Sequence, residues 1–136
     1  MALACLPTVL DARQPTSAAM LLPLEPVSYA DAERAGAVGT GCTWRGGPDR
    51  KARLAMADDR AAIRIKGVVV ALSLAADAEP IFFTYDRWVG RGLRIGIRDT
   101  GKVIRRGHEF SETIAWLDMT VDRYKRSWVG RLDCGS

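Results

Sequence analysis

A chain of 136 residues supports one domain with a modest core rather than two independent ones. Its 48% hydrophobic and 26% charged residues exclude a disordered polymer, and no run of about 18 apolar residues is present to cross a membrane as a helix. The net charge of +4 is unevenly placed: residues 1–39 carry two arginines against four acids, whereas residues 40–136 carry 18 Lys and Arg against 12 Asp and Glu.

The first residues, Met1-Ala-Leu-Ala-Cys5, resemble the tail of a bacterial secretion signal ending in a lipoprotein box, with Cys5 as the lipidated residue. The basic and longer apolar stretches of a full signal do not precede it, so this reading expects the true start further upstream. The alternative is an incidental thiol. Four prolines (Pro7, Pro15, Pro23 and Pro26) then interrupt any period, and Met20–Leu24 is apolar enough for an arm packed on the domain. Residues 1–27 therefore read as a signal remnant and extended arm, and residues 28–136 as a single β domain with a short leading helix. Ser28 with Asp31 forms a variant capping box for a helix from Tyr29 to Ala35, which Gly36 is placed to end.

From Cys42 onward the period becomes two. Ile63 and Ile65 alternate with Arg64 and Lys66; Leu93, Ile95 and Ile97 alternate with Arg94 and Arg98; Ala115, Leu117, Met119 and Val121 share one face. Weaker strands fit Thr43–Arg45, Arg53–Ala57, Val68–Leu74, Ile81–Arg87, Lys102–Arg105 and Ser127–Leu132. Turn residues fall between these runs, and Asp99-Thr-Gly-Lys102 reads as a hairpin. The expected fold is all-β: a small antiparallel barrel or sandwich of about eight strands.

Cys42 and Cys134 bracket this β region. Pairing them would staple the first strand to the last and would place the protein in an oxidising compartment. In size and cysteine placement the chain resembles small bacterial envelope proteins, among them the periplasmic inhibitors of host lysozyme, which are disulfide-tied β-barrels. Their serine-glycine-tyrosine loop motif is absent. The resemblance implies a periplasmic or outer-envelope location and no particular activity.

No residue nominates itself for catalysis. The single histidine, His108, adjoins Glu109, but neighbouring strand residues point to opposite faces, which leaves the acid badly placed to orient the imidazole. The cysteines and histidine lack metal-ligand spacing, Asp58 and Asp59 lack the spacing of a calcium loop, and no nucleophile elbow, phosphate loop or dinucleotide fingerprint occurs, so no metal or cofactor is expected.

Two constellations are left. Trp116 lies opposite the face of Leu117 and Met119; it is either an exposed binding aromatic or an anchor for the Met20–Leu24 arm, with packing preferred. Arg87, Trp88, Arg91, Arg94 and Arg98, together with Arg105 and Arg106 if the Asp99–Lys102 turn folds them back, would share one basic face. Sixteen of the twenty cations are arginine, which suits planar carboxylates and phosphates but also follows from GC-rich codon usage.

These features rank three readings. The first is an exported non-catalytic module binding an acidic protein or anionic envelope polymer, with a lipid anchor if Cys5 is modified. The second is an intracellular basic barrel binding nucleic acid, and the third an enzyme whose site the sequence does not reveal.

Overall fold

A computed structural model describes residues 22–135. Among the described residues one short helix, α1 (Tyr29–Arg34), precedes ten strands: β1 (Gly41–Arg45), β2 (Ala52–Ala57), β3 (Arg60–Ile65), β4 (Val68–Leu74), β5 (Pro80–Ile81), β6 (Thr84–Tyr85), β7 (Arg87–Gly90), β8 (Leu93–Arg106), β9 (Phe110–Val121) and β10 (Tyr124–Gly135). Eight of them close an antiparallel barrel in the order β1-β10-β9-β8-β7-β4-β3-β2, while β5 and β6 pair as a separate hairpin. Of the two expected architectures, the barrel is the one formed.

Alternation decides what fills it. Ile63, Ile95, Ile97, Ala115, Leu117 and Met119 point inward and are buried. Trp44 and Trp88 are fully buried at the centre, and each indole N–H finds a carbonyl: Trp44 donates to Ala115 O and Trp88 to Tyr85 O, both at 3.1 Å. Gly130 makes room for the first of these rings, since a Cβ there would stand 2.6 Å from Trp44 Cζ2. Cys42 and Cys134 face each other across β1 and β10 and are joined by a disulfide over 92 residues. Closing a loop of that length contributes about 4–5 kcal/mol in the chain-entropy model.

The arm completes the other side. β2 and β3 pair directly only from Ala55↔Ala62 to Ala57↔Arg60. Beyond that the arm fills the gap: the Glu25 N–H donates to Arg64 O and the Val27 N–H to Ala52 O, both at 2.8 Å, and Leu24 is buried in the core. Arg53 sits at the β1–β2 register shift; its buried guanidinium donates to Gly46 O at 3.0 Å and Leu24 O at 3.1 Å and pairs with Asp49. The expected capping box of α1 forms in both directions between Ser28 and Asp31, and Gly36 follows at a φ of +74°. Hydrogen bonds from the Ser28 backbone and hydroxyl, with Arg64 and Arg34 nearby, hold the Asp31 carboxyl below its ordinary value against the effect of burial.

Two expected elements differ. Asp99–Lys102 is no hairpin but a bulge inside the 14-residue strand β8. The turn chemistry is there: Gly101 N–H donates to the Asp99 carboxylate at 2.9 Å and Lys102 N–H to the Thr100 hydroxyl at 3.1 Å, while that hydroxyl donates to Ile114 O at 2.6 Å. These bonds absorb extra residues and let the chain run on alongside β9. Ile81–Arg87 is likewise no single strand, because the chain reverses at Phe82–Phe83, where Phe82 has a φ of +51°.

Candidate functional site

Strands β8, β9 and β10 are far longer than β1 to β4, and among the described residues neither α1 nor residues 22–27 of the arm lie on their outer face. Trp116 lies near its middle. It is 36% exposed, faces Val129 across β10 and Arg98 across β8, and the Arg98 guanidinium carbon stands 5.5 Å from its ring centroid. Of the Met20–Leu24 segment expected to pack on Trp116, Met20 and Leu21 lie outside the described residues, while Leu22 and Leu24 pack against the core where residues 24–27 cross between β2 and β3, on the far side of the barrel from β9. Beside Trp116, Ile104, Ile114 and Val129 form the apolar part of a recess of about 360 Å³, with Arg45, Arg50 and Arg131 at its margin.

Acids fix several of these arginines in place. Asp118 accepts from Arg98 Nε at 2.6 Å and Nη2 at 2.8 Å and from the Ser127 hydroxyl. Burial pushes its carboxyl up, but the hydrogen bonds from Arg98 and Ser127 outweigh that and leave it below the ordinary value. The same pair raises the Arg98 guanidinium, first through its hydrogen bond to Asp118. Glu112 accepts from Arg105 at 2.9 Å and Arg131 at 3.3 Å; the Arg105 hydrogen bond leads in holding it below the ordinary value. Around Trp116 and the recess, Arg45, Arg50, Arg98, Arg105 and Arg131 thus stand against Glu112, Asp118 and Asp133. The surface keeps a positive excess after its internal pairs are counted.

The seven residues expected to share a basic face divide. Arg87 and Arg94 converge on Asp77, with the Arg94 hydrogen bond leading in lowering that carboxyl. They border a groove of about 200 Å³ that includes Gly96, Arg98 and Lys125. Trp88 is corrected outright: it is buried in the core, because a strand that turns Arg87 outward turns Trp88 inward. Arg91 lies in the β7–β8 turn at a φ of +52°. The folding-back of Arg105 and Arg106 beside Arg94 is also corrected, since the bulge carries both onward along β8. Arg105 joins Glu112, whereas Arg106 is exposed and makes no ion pair among the described residues. Cys5 lies outside the described residues.

Other places are less promising. A groove of about 470 Å³ beside α1 is lined largely by small residues and backbone, and its two charged side chains, Arg45 and Asp133, pair with each other at 3.6 Å. His108 is exposed in the β8–β9 turn without a hydrogen-bonded carboxylate among the described residues. Among those residues no three His, Cys, Asp or Glu side chains gather to hold a metal ion.

Sequence reasoning passed over the β5–β6 tip. Phe82 and Phe83 are 47% and 60% exposed and meet edge to face at 4.8 Å. A bulky side chain in the left-handed region costs about 1–3 kcal/mol, so the turn is strained as well as apolar. Tandem phenylalanines have strand propensity and hid the reversal; the only signal was Pro80 ahead of them. No protein-family model, curated protein or solved structure matches the chain.

Proposed function

We propose that this chain is an exported, non-catalytic binding module of the bacterial envelope that holds an acidic protein partner on the outer face of β8–β10. The observation that carries this reading is Trp116, exposed between Val129 and Arg98 on a face with excess arginine. An apolar centre with aromatic and arginine anchors inside a charged margin is the usual anatomy of a protein contact. That centre favours a protein over a uniformly charged envelope polymer. The Cys42–Cys134 bridge supports export, because oxidised cysteines persist outside the cytosol. A lipid on Cys5 would tether the module to the membrane.

The test uses the immobilised full chain beside a Trp116→Ala, Val129→Glu double variant, with extract from the native organism. A partner retained by the first and lost from the second supports the reading. Equal retention by both removes this face from it, and retention of oligonucleotides that weakens steeply with salt would favour nucleic acid instead. Peptide mass mapping of the N-terminus tests the anchor.

A further inference from the structure

The exposed Phe82–Phe83 tip and the Ile104–Ile114–Val129 recess complement each other. The tip is apolar and exposed, its rings line a shallow depression with Asp58 and Asp59, and Glu79 and Asp86 flank the base of its hairpin, with Arg60 as a nearby cation. The recess is concave and apolar, and Arg45, Arg50 and Arg131 border it, with Glu112 as the one acid in its lining. Its volume of about 360 Å³ leaves room for both phenylalanine rings, a cavity of about 150 Å³ being enough for one benzene. Both surfaces are apolar at their centre, and their charged margins are opposite in sign.

One molecule cannot bring them together. The tip lies over the β2–β3 turn, where the Thr84 hydroxyl donates to Asp58 O at 3.0 Å. The recess lies beside the β1–β2 loop, at the opposite end of β2. Six residues of strand span roughly 20 Å. We infer that the Phe82–Phe83 tip of one copy docks in the Ile104–Ile114–Val129 recess of a second copy of this chain. This inference rests on the reading of β8–β10 as a binding face and names one occupant for part of it. Two different surfaces meet, so the contact is heterologous: an open assembly leaves a free tip and a free recess at its ends, and a closed ring leaves neither. The strained turn at Phe82 then has a use: it leaves both rings partly exposed for insertion.

Sedimentation of the full, oxidised chain over a rising concentration series tests this. The wild type is expected to gain mean mass with concentration, and to do so less at high salt. Phe82→Ser with Phe83→Ser, or Val129→Asp alone, is expected to weaken association at least tenfold with unchanged melting temperature. Mixing these two variants is the decisive arm: one keeps an intact recess and the other an intact tip, so they should form a 1:1 dimer and nothing larger. A wild type that stays monomeric at every concentration overturns the inference, as does association that survives either variant, or a mixture that stays monomeric. The partner-capture test is read separately, so self-docking can fail while the face itself stands.

Discussion

Arg53 and Arg98 show how differently the two sides of one barrel use the same side chain. Arg53 is buried and its hydrogen bonds go to Gly46 O, Leu24 O and Asp49, so it ties the arm and the β1–β2 loop to the strands. Arg98 is exposed, braced by Asp118, and lies over a tryptophan that nothing in the described fold covers. On the first side, apolar surface and cation are both used up by the chain itself. On the second the tryptophan stays exposed, and the arginine, though paired with Asp118, keeps an exposed side chain. Partner binding is therefore expected on the long strands, and sensitivity of folding on the arm side.

The contrast can be broken at several strengths. The largest effect is expected at the seam: replacing Cys42 and Cys134 by alanine should cost about 3–5 kcal/mol in urea unfolding, or abolish folding. Next, Leu24→Ala should cost about 2–4 kcal/mol, since it empties a site closed by the core and by Arg53. A loss under about 0.5 kcal/mol would mean the arm merely lies on the barrel. Trp116→Ala should change stability by less than about 1 kcal/mol while removing retained partner; the reverse pattern would make Trp116 a packing residue.

The smallest effect is in acid. Asp31, Asp77, Glu112 and Asp118 all have carboxyls held below their unfolded values, 3.8 for the aspartates and 4.5 for the glutamate. A depressed carboxyl contributes stability that is whole above its unfolded value and is lost as pH falls through its folded one. Melting temperature should therefore vary little with these groups from pH 5 to 8 and decline below about pH 4.5. Asp118→Asn should flatten part of that decline, and an unchanged slope would show that the Arg98–Asp118 pair does not contribute to it.

Much of the barrel was legible because alternation is a local signal. Ile63 and Ile65, Leu93 to Ile97, and Ala115 to Met119 declared their faces, and Ser28 with Asp31 declared the helix start. Asp99–Lys102 misled because the same Asp, Thr and Gly bonding builds a bulge or a hairpin turn, and only the neighbouring strand decides which. Trp88 could have been placed by the alternation that placed Arg87. The orientation of Trp116 was legible too, but that residues 22–27 of the arm run between β2 and β3 and not over it is a long-range fact. The margin of the recess joins Arg45 and Arg50 to Arg131 through barrel closure, which no local pattern in the chain records.

Photo-crosslinking in cells of the native organism compares the two sides most directly, with a benzophenone side chain placed at Val129 in one variant and at Tyr29, on α1, in another. Both positions are exposed, so neither substitution disturbs the core. The proposed binding face predicts a protein adduct from position 129 and none from position 29, with an adduct of twice the chain mass where the second copy is the occupant. Adducts from position 29 alone would contradict it and move the binding surface to the arm side of the barrel.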